Sequence, residues 1–207
     1  MAVDDGRFDR RDRWATIAAV VVSLPSDVES VRLGRVTVDG RDATARIAEA
    51  ILRTGHAADI RAVLLDGVVV GGFNPVDLGA LHRRIGWPVI AVTAERPDRA
   101  GIRRALRRWF PRDARARERC LFRHRLFRVV VPGRPIFAAV VGARRIEAAA
   151  LIARTIRRGR WPEPLRLAHL IASAPKLSAP SRRPRATRRR TRTIMTPPPP
   201  RRRGPVA

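Results

Sequence analysis

Alternating apolar and polar positions divide the first part of the chain into short strands, and helical spacing follows between them. Residues 1–4 are apolar up to Asp4, and a polar stretch then runs to Arg13. "WATIAAVVVSL" (14–24) is rich in β-branched residues and predicts a central strand. After a turn at "LPSD", the stretch "SVRLGRVTVDG" (30–40) alternates, with Val31, Leu33, Val36 and Val38 as its apolar positions. It predicts a third strand, antiparallel to the second. Ile47, Ala48, Ile51 and Leu52 then recur at helical spacing, which predicts a helix capped by Asp42 and closed by Gly55. Two buried strands, "IRAVLLD" (60–66) and "WPVIAVT" (87–93), enclose a helix over "NPVDLGALHRRIG". Asn74 is its expected cap, Pro75 its first residue and Gly86 its end.

A basic helix is predicted from about Asp98 through "RAGIRRALRRWF". A strand pair follows, "LFRVVVP" (126–132) and "PIFAAVVG" (135–142), turned through Gly133. The helical pattern "RIEAAALIARTIRRG" closes at Gly159, and "PLRLAHLIASA" forms a last helix. The order is three meandering strands, then αβαβα, then a hairpin and helices. It predicts an α/β domain over residues 1–174: a ribonuclease-H-like mixed sheet with helices on both faces. From about Pro175 the periodicity stops. Residues 175–207 are rich in Arg and Pro, the composition of a disordered basic tail.

Charge changes the picture more than size does. The 207 residues carry 44 Lys and Arg against 18 acids, a net +26 and a pI near 12.0. Such a field attracts polyanions, above all nucleic acid. Arg103, Arg104, Arg107 and Arg108 cluster on the basic helix and are candidates to hold phosphates, although a solvated charged face has the same composition. A polybasic tail of this kind can grip phosphates without sequence preference. The single cysteine, Cys120, excludes an internal disulfide framework. The longest apolar run is too short to span a bilayer and no leader pattern is visible, so a soluble cytoplasmic protein is expected.

Candidate chemistry sits where strands end. Sites in open α/β sheets form beyond the carboxyl ends of parallel strands. Asp4 ends the first apolar stretch in "VDDG", Asp39 ends the third strand in "VTVDG", and Asp66 ends the fourth in "LLDG". Each Asp-Gly pair by itself also reads as a turn. In the expected topology strands one and four are parallel neighbours, so Asp4 and Asp66 lie side by side. Like charges that close repel unless a cation lies between them, and hard oxygen ligands favour Mg²⁺ or Mn²⁺. Asp42 is the alternative third acid. Asp39 is preferred because it ends its strand and is expected to project toward Asp4 and Asp66, whereas Asp42 is placed to cap a helix. The four histidines lack metal-ligand spacing, "GVVVGG" is not a phosphate loop, and no serine has a nucleophile-elbow context.

"RWPEPLRLAHLIAS" (160–173), "LLDGVVVGGFN" and "WPVIAVT" resemble motifs of endonuclease V. "VDDGRF", "VTVDGRDAT", "LLDGVVVGGFN" and "RGRWPEPLRLAHLIA" are similar, more closely, to the DUF99 (UPF0215) family, relatives of endonuclease V also called endonuclease dU. The likeness covers roughly residues 3–174. It implies a ribonuclease-H-like fold and Mg²⁺-dependent cutting of DNA or RNA near a deaminated base of the uracil or inosine type. It places catalytic aspartates on Asp4 and Asp66, with Asp39 or Asp42 as the nearest acid to the third, and a metal-proximal histidine on His169. Gly67, Gly71 and Gly72 stand where a base-contacting glycine motif is rearranged. No Pro-Tyr-Ile-Pro wedge is present, and the third acid is Asp rather than Glu. A noncatalytic nucleic-acid-binding module of the same fold is the alternative reading.

Overall fold

A computed structural model describes residues 1–24, 27–55 and 60–177. The fold begins with three strands, β1 (Ala2–Asp5), β2 (Trp14–Ser23) and β3 (Asp27–Thr37). Helix α1 (Ala43–Leu52) leads to β4 (Val63–Asp66), the short ribbon of β5 (Val69–Val70) and β6 (Asn74–Pro75), and α2 (Leu78–Ile85). Then come β7 (Val89–Thr93), the helix pair α3 (Arg99–Trp109) and α4 (Ala114–Leu121), the hairpin β8 (Phe127–Val129) and β9 (Ile136–Val141), and helices α5 (Arg145–Thr155) and α6 (Glu163–Leu177).

Seven strands form one mixed sheet in the order β3-β2-β1-β4-β7-β9-β8. β1, β4 and β7 are parallel, and β2, β3, β8 and β9 complete the sheet through antiparallel pairs. Successive side chains of a strand point to opposite faces, so each strand feeds two cores. Val3, Ile17, Val36, Leu65 and Val89 pack with α1 and α2 on one face. Ala2, Val20, Leu64, Ile90 and Ile136 pack with α5 and α6 on the other, where Leu165, Ala168 and Ala172 are fully buried. This is the expected mixed sheet with helices on both faces. Among the described residues no helix is long and apolar enough to cross a membrane.

Several local expectations change. Asn74 and Pro75 do not start α2; they pair with β5, and α2 begins at Leu78 with Asp77 as its cap, accepting from the Ala80 amide at 3.0 Å. α4 has no counterpart in the sequence pattern, because half of its eight residues, ARARERCL, are charged. α6 continues through Pro175 to Leu177, three residues past the expected boundary. Its end is tied down by Lys176, which pairs with Asp9 and Asp12 in the loop after β1. The expected disorder of the tail concerns residues that, from 178 onward, lie outside the described ones.

Gly6 sets how closely α6 approaches β1. A Cβ at this position would overlap the Ala172 backbone carbonyl, and the next amide, Arg7, donates to Ser173 Oγ at 3.1 Å. A backbone carbonyl cannot swing aside as a side-chain tip can. Gly6→Ala is therefore expected to lower stability by about 1–3 kcal/mol, the usual cost of overpacking, measured by urea denaturation. An unchanged unfolding midpoint would show that α6 does not sit this close to β1.

Candidate active site

Four residues of β1 and four of β4 build the centre of the site. Ala2 pairs with Leu64 and Val3 with Leu65 in parallel register. One step further along both strands stand Asp4 and Asp66. Alternation places both on the face of Ala2 and Leu64, the face that α6 covers. Asp4 is only 2% exposed. Its Oδ1 accepts from the Asp5 amide at 2.8 Å, and its Oδ2 meets His169 Nδ1 at 3.1 Å.

His169 reaches down from α6. Its Nδ1 also lies 2.9 Å from the Asp5 carbonyl oxygen. A carbonyl only accepts, so Nδ1 carries a proton and donates to it. In the neutral ring the lone pair then sits on Nε2. The imidazole is thus fixed in orientation and tautomer, the arrangement by which proteins prepare a histidine to ligate a metal or take up a proton. Of the sequence candidates, Asp4 and His169 are thus in contact, and Asp66 ends the strand beside that of Asp4. Among the described residues, no group of three or more His, Cys, Asp or Glu side chains is placed so that it could hold a metal ion. By donor type alone, carboxylates and an imidazole are groups that divalent cations bind.

The two candidate third acids have other partners. β2 separates β3 from β1. Asp39, expected to project toward Asp4 and Asp66, adopts a left-handed backbone (φ 57°), and its Oδ1 accepts from the Phe73 amide at 2.8 Å. Its own amide donates to the Gly71 carbonyl at 2.8 Å. Asp42, expected to cap α1, makes no side-chain cap. It accepts instead from the Thr37 amide at 3.1 Å, the Thr37 hydroxyl at 2.9 Å and Asn74 Nδ2 at 2.7 Å. Asn74, wholly buried, takes over the capping: its Oδ1 accepts from the Ala43 amide at 3.0 Å. The cap of α1 thus comes from 31 residues away, a partner that local spacing cannot show.

The glycines after Asp66 shape the loop over this edge. Gly67 (φ 78°) turns the chain away from the strand, and its amide donates to the Val92 carbonyl at 2.8 Å. Gly71 and Gly72 have φ of 63° and 90°. A Cβ on Gly72 would strike the Asp39 carboxylate, so the turn follows the acid that holds it. The Gly71 amide donates to Asp5 Oδ2 at 2.6 Å. Asp5 is itself 7% exposed and was not a sequence candidate, although "VDDG" carries the signal: strand alternation sends its side chain to the face opposite Asp4.

The helix pair α3–α4 rests on the same loop. Leu106, Ala114 and Leu121 cluster with Val68, Val69, Phe73 and Phe110. Asp98 caps α3 by accepting from the Ala100 and Gly101 amides, both at 3.0 Å. Arg103, Arg104, Arg107 and Arg108 are all exposed on α3, with Arg103 bonded to Glu118 at 2.5 Å. A further arginine, Arg117, is 5% exposed and was also missed. Its guanidinium bonds the carbonyls of Gly40 and Phe73 and the Asp113 carboxylate, and it stacks on Phe110. It staples α4 to the two loops that carry Asp39 and the glycine turn.

A family profile described as endonuclease dU matches residues 1–175. A UPF0215 protein of Thermococcus gammatolerans is 38% identical over 175 residues, which is 83% of this chain and 88% of that protein. Among solved structures, a protein of unknown function from Archaeoglobus fulgidus matches with a TM-score of 0.75 at 28% identity, over 84% of this chain and 95% of that one. Endonuclease V of Ciona intestinalis, solved in complex with a 24-mer DNA containing an inosine followed by a ribo-adenosine, matches with a TM-score of 0.53. It is 16% identical, over 85% of this chain and 84% of that one, a likeness of fold alone.

Asp42 offers a direct check on the loop architecture. Burial pushes its pKa up, but the hydrogen bonds from Asn74 and Thr37 outweigh this and leave it below the ordinary carboxylate value. A depressed folded pKa stabilises the protein above the unfolded value, and this contribution disappears as the pH falls through the folded one. Asp42→Ala is expected to cost about 1–3 kcal/mol near neutral pH, because buried donors lose their acceptor. The deficit should narrow in acid, where the wild-type carboxylate protonates too. Urea melts at neutral and acidic pH measure both, and a deficit independent of pH would contradict the ionised, hydrogen-bonded carboxylate.

Proposed function

The chain belongs to the endonuclease dU family, and from that premise we propose that it is a divalent-cation-dependent endonuclease that cuts nucleic acid near a deaminated base. The observation that supports this best is Asp4, bonded to a tautomer-fixed His169, at the carboxyl end of a strand whose parallel neighbour ends in Asp66. Asp4 and Asp66 are the residues that would hold Mg²⁺ or Mn²⁺, and such an ion would supply a Lewis acid for phosphodiester hydrolysis. His169, with its proton committed at Nδ1, offers Nε2 as a ligand or as the acceptor of a proton from water. Asp4 Oδ2 and the Asp5 carbonyl hold the ring in place, so little reorganisation is needed when substrate arrives.

The arginines of α3 supply the binding field. They contact phosphates without reading sequence, and affinity gained this way falls as salt rises. The base that marks the cut is of the uracil or inosine type. The family name and the inosine-containing DNA in the Ciona endonuclease V complex support that choice. DNA is the substrate favoured here, with inosine-containing RNA as a parallel test.

Asp66→Asn tests the assignment on uracil- and inosine-containing oligonucleotides with Mg²⁺, Mn²⁺ or chelator. Nicking should fall by more than the ~10–100-fold typical of losing a partner one shell away from a metal. Nucleic-acid affinity should hold or tighten, since one negative charge that faces phosphates is gone. Full activity in Asp66→Asn, or wild-type nicking that survives chelator, overturns the proposal. Binding without nicking under every condition would instead identify a noncatalytic nucleic-acid-binding module.

A further inference from the structure

We propose that Asp5 is a positioning residue: its buried carboxylate, through the Gly71 amide, fixes the Gly71–Phe73 turn as part of the surface that receives the nucleic acid. The contact is in the structure, and the part assigned to the turn rests on the endonuclease reading above.

Asp5 lies beside Asp4 in sequence but serves the opposite face of β1, toward the core that holds α1 and α2. Its Oδ2 accepts from Gly71 N at 2.6 Å, across 66 residues of sequence. The turn it grips has no slack. Gly71 and Gly72 have positive φ, Asp39 takes the Phe73 amide, and the Asp39 amide takes the Gly71 carbonyl. A Cβ on Gly71 would press on Val36 Cγ2 at 2.9 Å. Carboxylates at the ends of two different strands therefore define where this turn stands. Displacing it would move Phe73 and the α3–α4 pair packed against it.

The same residue also faces the reacting edge, through its backbone. The Asp5 carbonyl accepts from His169 Nδ1. One residue thus orients the imidazole with its main chain and the substrate-facing turn with its side chain. The carboxylate itself points away from Asp4, so its removal should alter substrate engagement and leave the cation requirement alone.

Steady-state nicking of the marked oligonucleotide by Asp5→Ala and Asp5→Asn separates these roles. Asp5→Ala should raise KM by about tenfold or more, the scale of a lost buried hydrogen bond to a charged acceptor, with the half-saturating Mg²⁺ or Mn²⁺ concentration unchanged. Asp5→Asn, whose amide oxygen can still accept from Gly71, should bring KM back to within about threefold. Hydrogen exchange should quicken across residues 67–73 in Asp5→Ala and not in Asp5→Asn. If Asp5→Ala does not fold, Gly72→Ala displaces the same turn from the Asp39 side and should raise KM likewise. An unchanged KM in a folded Asp5→Ala overturns the proposal, as does a lower melting temperature with KM intact. A raised cation requirement that Asp5→Asn fails to rescue would make Asp5 a ligand and overturn it too. If the wild-type protein binds but does not nick, the endonuclease reading fails. Exchange over 67–73 and oligonucleotide affinity by anisotropy then still decide the role of Asp5.

Discussion

The parallel register of β1 on β4 sets Asp4 beside Asp66, and the rest of the edge is arranged around that pair. Two carboxylates on neighbouring strands repel each other. The fold answers that repulsion with donors: an amide on one Asp4 oxygen and an imidazole N–H on the other. The imidazole comes from α6, and α6 can reach it only because Gly6 lets the helix backbone lie against the strand end. The placement of a helix, the choice of a glycine and the tautomer of a histidine all follow from one pairing of strands.

Much of this edge is legible in the sequence because strand ends announce themselves. Apolar runs closed by Asp-Asp-Gly and Asp-Gly locate Asp4 and Asp66, and the order of elements makes β1 and β4 neighbours, whereas the same signal at Asp39 marks a turn bonded to the Phe73 amide. What escapes is what depends on distant partners. Asn74 looks like the cap of the helix after it, and locally it is well placed for that role. A bridge to β5 and a bond to the Ala43 amide claim it instead, and Asp77 caps α2. Asp42 loses its expected role to the same exchange. α4 is hidden because its apolar stripe is thin, and it is held by distant partners: the hydrophobic cluster formed with α3 and the 68–73 loop, and the bonds of Arg117 to the Gly40 and Phe73 carbonyls. Asp5 was within reach, since adjacent acids on a strand must face opposite ways.

The arginines divide into two kinds that composition cannot separate. Those exposed on α3 make surface contacts, such as the ion pair of Arg103 with Glu118 and the stacking of Arg108 over Trp109, and contacts of that sort add little stability. They are therefore free to exchange a protein partner for phosphate at small cost. Arg117 is different in kind: buried, stacked on Phe110 and forked between two carbonyls and a carboxylate. A lysine has the charge but not the planar fork, so the two classes respond differently to the most conservative of exchanges.

The bond between His169 and Asp4 joins residues 165 positions apart. During synthesis the aspartate leaves the ribosome long before the histidine exists, and domains complete their tertiary contacts only once the paired segments are both available. Until α6 has emerged and docked, a growing chain holds Asp4 without its imidazole partner, and the end of β1 stays uncovered. The amino-terminal strand end is thus completed by the last helix of the domain to be made.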